Sequence, residues 1–346
     1  MKALVYEGPG QKTWTEVPDP TISDPRDAII KVDAVTICGT DLHILAGDVP
    51  AVTPGRILGH EAVGTVVEVG SGVTALTKGD RVLASCISAC GTCRYCRQGS
   101  YGQCLGGGGW ILGHRIDGVQ AQYARIPFAE LSTYQLPPTI TDEAAVLLAD
   151  ILPTSYEVGV LNGHVSPGDT VVVVGVGPIG LAAILTARLY SPSHIIAVDK
   201  ADSRLQAAKQ FGADLLVKPD GDLLELVRSV TDGLGADVAI EAVGTPATFE
   251  LCATLVRPGG RVANIGVHGQ PATLHLEDLW IRNVTITTGL VDTFSTPTLL
   301  KMLATGQLDL GHMVTHRYAF DQFLDAYTVF GDAAHTGALK VVIGHG

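Results

Sequence analysis

The feature that most limits how this chain can fold is a glycine-rich turn set between two apolar segments. Val171 to Val174 form a continuous β-branched run, which favours a buried strand. The run is followed by Gly175-Val176-Gly177-Pro178-Ile179-Gly180 and then by an Ala- and Leu-rich stretch to Leu189. In such a turn the first glycine allows the tight reversal, the second lets backbone approach a pyrophosphate, and the third lets helix and strand pack closely. The pattern predicts a dinucleotide-binding unit, although an ordinary strand-to-helix turn is the alternative.

Strand and helix patterns alternate through the region that surrounds this turn, about residues 153–292. The predicted elements after the turn are a strand at 194–198, a helix at 203–211, and buried strands at 237–240 and 261–265. Alternation of this kind predicts an α/β fold, a Rossmann-type doubly wound parallel sheet with helices on both faces.

An acidic residue ends the predicted strand 194–198. Asp199 stands about 20 residues beyond the glycine turn, where a carboxylate accepts hydrogen bonds from an adenosine ribose. A carboxylate there would repel a 2′-phosphate, so the sequence predicts NAD rather than NADP as the cofactor. Arg204 is a candidate contact to the ribose or adenine, with a solvated surface arginine as the alternative.

The remaining sequence has a different pattern. Up to about residue 150, short apolar runs such as 28–35, 62–69 and 81–86 are separated by turn residues, which predicts a mainly β region. Residues 293–346 contain a predicted helix at 297–303 and a final strand at 338–343. A chain of 346 residues is long enough for two cores, so we expect two domains.

Composition excludes several classes of partner. A formal charge of −12 without any dense basic run opposes binding to nucleic acid. The opening MKALVYEGPG meets Gly and Pro before the apolar core of a signal peptide could form, so the expected location is the cytoplasm. Thr170 to Ala187 carries no charge, but its three glycines fit a strand, turn and helix better than a membrane span. We therefore expect no membrane partner.

Four of the seven cysteines crowd into one short segment. They are Cys90, Cys93, Cys96 and Cys104, spaced C-x2-C-x2-C-x7-C. Four thiolates bind zinc in a closed tetrahedral site, which predicts a structural zinc without a position for substrate. An iron–sulfur cluster and two disulfides are the alternatives.

Two further motifs precede this segment, Cys38-Gly39-Thr40-Asp41-Leu42-His43 and Gly59-His60-Glu61. A single cysteine or histidine is more often a core residue than a ligand, so the case depends on their order. The two motifs, then the four cysteines, then the glycine turn with its acidic partner resemble the zinc-dependent medium-chain alcohol dehydrogenases over nearly the whole chain. The resemblance implies a mainly β, GroES-like catalytic domain (1–152 and 293–346, with a zinc lobe at about 86–108) and a Rossmann domain (153–292).

The resemblance also implies a ligand set for a catalytic zinc. Cys38 and His60 match two ligands of the family, and a third ligand in many relatives is a cysteine. Here the segment 147–154 offers Asp150 instead, which resembles a bacterial branch in which an aspartate completes the site. A Cys, His, Asp set suits zinc with one open position. Glu61 is the alternative ligand, or a nearby carboxylate that exchanges with the water.

Further roles follow from the same resemblance. Asp41 is expected to accept the distal N–H of His60, and Thr40 and His43 match a proton relay that runs through the cofactor ribose. Zinc would polarise the alcohol oxygen, and hydride would pass to the nicotinamide. Cofactor contacts are assigned to Thr154, Val243 and Val267 besides the glycine turn. Cys86 and Trp110 are assigned to the substrate pocket, with a small core residue and a loop anchor as their alternatives.

These assignments predict a reversible NAD-dependent alcohol dehydrogenase with two zinc ions per chain, acting on a small alcohol, aldehyde or ketone. A threonine, polyol or formaldehyde dehydrogenase of the same family is the alternative, as is, from another class, a non-enzymatic nucleotide-binding relative. The relatives also lead us to expect a homo-oligomer, a dimer or a tetramer.

Overall fold

The computed structural model describes residues 1–344 and divides into two compact units, Met1–Pro153 with Val291–Gly346, and Thr154–Leu290. The strands are β1 (Lys2–Gly8), β2 (Gln11–Glu16), β3 (Ala28–Thr36), β4 (Arg56–Ile57), β5 (Ala62–Val69), β6 (Arg81–Ala84), β7 (Tyr123–Ile126), β8 (Thr133–Gln135), β9 (Thr170–Val174), β10 (His194–Val198), β11 (Leu215–Val217), β12 (Ala236–Glu241), β13 (Val256–Asn264), β14 (Thr285–Thr288), β15 (Val314–Tyr318) and β16 (Lys340–Gly344).

The helices are α1 (Gly39–Ala46), α2 (Ala129–Ser132), α3 (Asp142–Val146), α4 (Ile151–Thr154), α5 (Pro178–Ala187), α6 (Asp202–Gln210), α7 (Leu223–Ser229), α8 (Pro246–Leu255), α9 (Leu276–Leu279), α10 (Thr296–Ala304), α11 (Phe323–Gly331) and α12 (Ala333–Thr336). A π-helical segment, Ser155–Leu161, follows α4 directly.

The second unit is built on a six-stranded sheet with the strand order β11-β10-β9-β12-β13-β14. All of its neighbouring strands are parallel. The order turns back at the β9/β12 pair, which is the topological switch point of a doubly wound sheet. The predicted Rossmann-type sheet is confirmed, and β9 and β10 lie where the apolar runs indicate.

The glycine turn joins β9 to α5 as the sequence predicts. Gly175 has a φ of +89°, a conformation that disfavours any other residue. A Cβ on Gly180 would collide with the carbonyl oxygen of Gly175, so the third glycine is required by close packing. Pro178 is the first residue of α5, a position where its missing N–H costs no helical hydrogen bond.

The first unit is mainly β, as predicted, and contains two sheets. One follows the order β15-β16-β3-β5-β6-β8, with β7 paired to β3, and the other follows β2-β1-β4. Buried aliphatic side chains of β1, β3 and β5 form a core with aromatic residues of α11, such as Phe323 and Phe330. Because β16 pairs with β3, the last segment of the chain completes a sheet begun in the first forty residues.

Element ends differ from the sequence predictions in a few places. The helix expected to reach Leu189 ends at Ala187 and tightens into a 3₁₀ turn, which Ser191 closes in the left-handed conformation. The run 81–86 is a strand only to Ala84, because the following residues turn toward the metal-ligand groups described below. No helix within residues 1–344 is both long enough and apolar enough to cross a membrane.

Candidate active site

Three side chains from distant parts of the first unit converge on one point. Cys38 is the N-cap of α1, His60 lies between β4 and β5, and Asp150 immediately precedes α4. Oδ2 of Asp150 is 3.5 Å from the Cys38 Sγ and 3.3 Å from the His60 Nε2. The three ligand atoms all lie within 4.8 Å of one another.

This arrangement fits a zinc ion. Ligands held tetrahedrally around zinc at its usual bond lengths stand roughly 3.3–3.8 Å apart, close to the separations of Asp150 from its two neighbours. A thiolate, an imidazole and a carboxylate are donors that zinc accepts, and three of them leave a fourth position open. The residues that the sequence assigns to a catalytic zinc are therefore placed together.

Burial and charge at this point favour a cation. Burial raises the pKa of the Cys38 thiol, and the carboxylates of Asp150 and Glu61 raise it further. Burial lowers the pKa of His60, but hydrogen bonds to Asp150 and Cys38 outweigh it, and the pKa lies well above its usual value. A divalent cation reverses both effects, since it stabilises a thiolate and a neutral imidazole.

Asp41 does not make the hydrogen bond that the sequence predicts. Its Oδ2 accepts the backbone N–H of Cys38 at 2.9 Å and the Nε2 of Gln120 at 3.0 Å. Its Oδ1 and the Nδ1 of His60 are buried, and neither has a hydrogen-bond partner among the described residues. The carboxylate instead serves the first turn of α1, because its position three residues after Cys38 suits a helix N-terminus.

One carboxylate oxygen of Glu61 is bound elsewhere, and the other, Oε1, has no hydrogen-bond partner among the described residues. Its Oε2 accepts hydrogen bonds from the Thr36 hydroxyl and from the Lys340 ammonium, which is 2.5 Å away, and both charged side chains are buried. Lys340 additionally donates to the carbonyl oxygen of Ile37 at 3.2 Å. Asp150, rather than Glu61, is therefore the carboxylate grouped with Cys38 and His60.

The two candidate pocket residues lie close to this group. The Cys86 Sγ is 3.7 Å from the Oδ1 of Asp150, the oxygen that does not face Cys38 and His60. The Trp110 ring meets the His60 ring edge to face, with centroids 6.2 Å apart. Its other neighbour is His114, whose ring stacks on it at 4.3 Å. Trp110 thus lies beside the ligand group, and His114, to which sequence gave no role, supports it.

Thr40 and His43 both belong to α1, on the helix that Cys38 caps. The Thr40 hydroxyl is 3.6 Å from the Cys38 Sγ. His43 is partly exposed, and its Nδ1 is 2.9 Å from the Oδ2 of Asp48. The pair therefore reaches from the metal-ligand group toward solvent.

The four cysteines form a second metal-ligand group, on loops and 3₁₀ turns of the first unit. Backbone N–H groups of Cys96 and Leu105 donate to the Cys93 Sγ, each at 3.4 Å, and they lower the pKa of that thiol. A Cβ on Gly108 would collide with the carbonyl of Ser88 and crowd the Cys104 Sγ. Four convergent sulfurs held by backbone donors fit a closed zinc site.

In the second unit, the candidate cofactor residues lie at the carboxyl edge of the parallel sheet. Asp199 follows β10 and accepts the backbone N–H of Val176 and of Ala201, each at 2.9 Å. The Arg204 guanidinium is 3.8 Å from Asp199. Gly177 is the N-cap of α5, and Pro178 and Ile179 are its first two residues, at a helix N-terminus whose free N–H groups suit an anion.

The remaining candidate cofactor residues are on three different segments. Val243 and Val267 follow β12 and β13, and both are exposed apolar residues at the same edge of the sheet. Thr154 is the last residue of α4 and the first residue of the second unit.

Three residues were missed by the sequence predictions. Lys340 is the first residue of the apolar strand β16, and a lone lysine in such a run indicates a buried ion pair. Gln120, fully buried, joins Asp41 to the hydroxyl of Tyr327. Glu241 ends β12 as a fully buried carboxylate, a position that its apolar neighbours could have indicated.

Two family models match the chain. "Alcohol dehydrogenase GroES-like domain" matches residues 24–138, and "Zinc-binding dehydrogenase" matches residues 178–305. The first range contains six of the seven candidate metal ligands, and the second contains the last three residues of the glycine turn and Asp199.

Relatives that match over nearly the whole of both chains support the same family. An alcohol dehydrogenase of Cupriavidus necator is 37% identical over 99% of this chain and 98% of its own length. The structure of a zinc-dependent alcohol dehydrogenase from Streptococcus pneumonia is 48% identical with a TM-score of 0.96, over 100% of this chain and 98% of that one. An L-threonine 3-dehydrogenase of Pyrococcus horikoshii is 34% identical over 99% of this chain and 98% of its own.

Structural neighbours include proteins with a bound nicotinamide cofactor. An alcohol dehydrogenase from E. coli, 27% identical with a TM-score of 0.90, holds NADH, and a dehydrogenase from Sinorhizobium meliloti, 29% identical with a TM-score of 0.88, holds NADP. They cover 100% and 99% of this chain, and 99% of their own chains. With two metal-ligand groups in one unit, a glycine turn in the other, and relatives that match from end to end, the chain belongs to the zinc-dependent medium-chain alcohol dehydrogenase family.

Proposed function

We propose that this chain is an NAD-dependent alcohol dehydrogenase that interconverts small alcohols with aldehydes or ketones at a zinc held by Cys38, His60 and Asp150. The observation that carries the proposal is the convergence of these three ligand atoms within 4.8 Å. In this proposal the first unit is the catalytic, GroES-like domain, and the second binds the dinucleotide.

The chemistry of the site depends on the open fourth position. When bound, zinc supplies Lewis acidity that lowers the pKa of an alcohol oxygen. Trp110 presents an aromatic face beside His60 and is suited to line the pocket for the apolar part of a substrate. Cys86 lies against Asp150, and its small side chain leaves room for that substrate.

The proton released from the alcohol needs a route to solvent. Thr40 is placed to accept it first, because its hydroxyl lies next to the Cys38 sulfur. His43, three residues along α1 and partly exposed, is the group that exchanges protons with water. Asp41 holds the start of this helix in place rather than taking part in the transfer.

The four-cysteine group is proposed to hold a second, structural zinc. Its four sulfurs leave no open position, and the backbone N–H groups aimed at Cys93 stabilise thiolates. Each chain would then contain two zinc ions. The chain has seven free cysteines, and five of them belong to the two metal-ligand groups, which suits a reducing compartment such as the cytoplasm.

NAD is the proposed cofactor because of Asp199. Its carboxylate follows β10 and is 9% exposed, with backbone N–H groups fixing both oxygens. A fixed negative charge at a ribose site repels the 2′-phosphate of NADP. Initial rates with NAD and NADP test this assignment, and we expect Asp199→Gly to reduce the preference for NAD. An unchanged preference in that variant would remove Asp199 from the argument.

The decisive test of the activity combines metal analysis with substrate screening. We expect close to two zinc ions per chain and NAD-dependent oxidation within a panel of primary, secondary and aromatic alcohols. L-threonine belongs in the panel, since a threonine dehydrogenase is among the relatives. One zinc per chain, unaltered by Cys38→Ala, would contradict a catalytic metal at Cys38.

A homo-oligomer is the proposed assembly. The edge strand β14 has its outer side unpaired in the described chain, and exposed apolar side chains stand close to it in sequence. They are Leu276, Trp280 and Ile281, with Trp280 72% exposed. A patch of this kind next to a free strand edge suits a second copy of the chain. Sedimentation of the purified protein measures the state, and a monomer at micromolar concentration would contradict it.

A further inference from the structure

A fully buried carboxylate lies at the edge of the second unit's sheet and has no role in the proposal above. Glu241 is the last residue of β12 and is 0% exposed. Its Oε1 accepts the backbone N–H of Val243 at 3.0 Å, that of Gly244 at 2.9 Å, and the hydroxyl of Thr248 at 2.7 Å. Three donors on one oxygen bind the carboxylate tightly to the loop that follows β12.

The other oxygen of this carboxylate faces the neighbouring loop. Oε2 of Glu241 has no hydrogen-bond partner among the described residues, and the His268 Nε2 is 3.6 Å from it. The same nitrogen lies 2.9 Å from the Oδ1 of Asn264, at the end of β13. The main-chain oxygen of Glu241 accepts the N–H of Ile265 at 2.8 Å. Glu241 therefore contacts both the β12–α8 loop and the segment that follows β13.

These two segments touch without space for side chains. A Cβ on Gly244 would collide with the carbonyl oxygen of Val267, and a Cβ on Gly266 would collide with Gly244 and with the Glu241 carboxylate. Glycine at both positions allows the backbones to approach closely, and the buried carboxylate fixes their spacing.

The contact between these two segments lies next to the glycine turn, at the switch point of the sheet. β12 pairs with β9 at the switch point of the sheet, and Glu241 is in register with Val174, the residue before the glycine turn. A Cβ on Gly175 would collide with the Val243 side chain, so Val243 lies directly over that turn. Val243 and Val267 are 44% and 56% exposed, an apolar pair at the edge where ligands of such sheets bind.

We propose that Glu241 is a positioning residue for the nicotinamide half of the dinucleotide. By holding the loops that contain Val243 and Val267, it fixes the apolar surface that receives the nicotinamide, while the adenine half depends on Asp199 and the glycine turn. A buried charge at this place is costly, and its three hydrogen bonds keep it there. The inference rests on the proposed function, because that proposal assigns Val243 and Val267 to the cofactor.

Two ligands that differ only at the nicotinamide test the inference. ADP-ribose retains the adenine, both phosphates and the second ribose of NADH. Dissociation constants for NADH and ADP-ribose are measured by titration calorimetry with two variants. Glu241→Gln keeps the size of the side chain, and Glu241→Asp keeps its charge. We expect NADH to bind about tenfold more weakly, as for a lost charge-assisted hydrogen bond, and ADP-ribose to stay within about twofold. The emission maximum of bound NADH should move toward that of free NADH.

Matched variants separate positioning from general damage. Glu225→Gln makes the same change on the exposed side of α7 and should leave both constants unaltered. Thr248→Val removes one of the three donors to Glu241. It should raise the dissociation constant of NADH about threefold and leave that of ADP-ribose unchanged, and it keeps the test available even if the Glu241 variants do not fold. If the variants weakened the binding of both ligands equally, or did not weaken the binding of NADH, this inference would be overturned while the proposed function would stand. An unaltered chain that bound neither NADH nor NADPH would instead overturn the proposed function, and this inference with it.

Discussion

The two metal-ligand groups of the first unit are built in opposite ways. The four cysteines come from one continuous segment, residues 90–104, and converge through local turns. Cys38, His60 and Asp150 are up to 112 residues apart and meet only when the sheet of the first unit has formed. A local group can be recognised from spacing alone, whereas a distant group depends on the whole fold.

Their surroundings differ as well. Backbone N–H groups surround the cysteine sulfurs, and four sulfurs complete a tetrahedron. The Cys38 group has three donors and lies among the buried charges of Asp41, Glu61 and Lys340. The comparison teaches that the first group is suited to hold loops together and the second to hold a reacting molecule.

Removing a ligand from the distant group should have the largest effect on turnover. We expect Cys38→Ala to lower kcat/KM by about 10⁴, because the Lewis acid is lost with its thiolate. Metal analysis should find the chain's zinc content lowered by one ion, and the thermal midpoint should change little. Cys252→Ala, at a buried cysteine of the second unit, is the control and should retain both zinc ions. A Cys38 variant with full zinc content would show that Cys38 is not required to hold a zinc ion.

Asp150 provides a sharper test of the same group. Asp150→Ala should lower kcat/KM by about 10³, since two remaining protein donors hold zinc weakly. Asp150→Cys, which restores an anionic donor at the same place, should recover the rate to within about tenfold of the unaltered chain. If Asp150→Ala kept a near-normal rate, the role of third ligand would pass to Glu61.

A ligand change in the local group should act on stability instead. We expect Cys93→Ser to lower the free energy of unfolding by on the order of 4 kcal/mol, because a structural zinc contributes directly to folding. The rate per folded, zinc-loaded molecule should fall by less than about threefold. Denaturant midpoints and rates measured on the same preparation check both. If Cys93→Ser lowered the rate strongly without lowering stability, the four-cysteine group would have a catalytic rather than a structural role.

The buried ion pair beside the distant group should give the smallest of these effects. Lys340→Met leaves the Glu61 carboxylate buried without its cation, and we expect a loss of about 3 kcal/mol in the free energy of unfolding. The double variant Lys340→Met with Glu61→Gln removes both charges and should recover most of that loss. A single variant as stable as the unaltered chain would mean that Thr36 alone suffices to hold Glu61.

Sequence patterns predicted the parts of the molecule that local chemistry determines. The run 171–174, the glycine turn and the strand 194–198 are all found as predicted, because β-branched residues and a left-handed Gly175 leave few alternatives. The four cysteines are likewise brought together. For Cys38, His60 and Asp150, the order of motifs in the family supplied what spacing could not.

The predicted hydrogen bond from His60 to Asp41 is not found, because Oδ2 of Asp41 accepts from Cys38 and Gln120 while its Oδ1, like the Nδ1 of His60, has no partner among the described residues. The place of Asp41 three residues after Cys38 suits both a helix cap and the proximity of His60, and the structure gives it to the cap. Lys340 and Gln120 were missed for a related reason. Their partners, Glu61 and Asp41, are remote in sequence, so no local pattern reports the contact.

The division of the first unit into two chain segments has a consequence for the order of folding. During synthesis the second unit has all six of its strands once Leu290 has been made, while β3 still lacks its neighbour β16. Until β16 arrives, Glu61 has no Lys340 and the sheet has an open edge that invites association with other chains. The pocket proposed to hold the reacting alcohol is thus completed last, after the unit that is proposed to bind the cofactor.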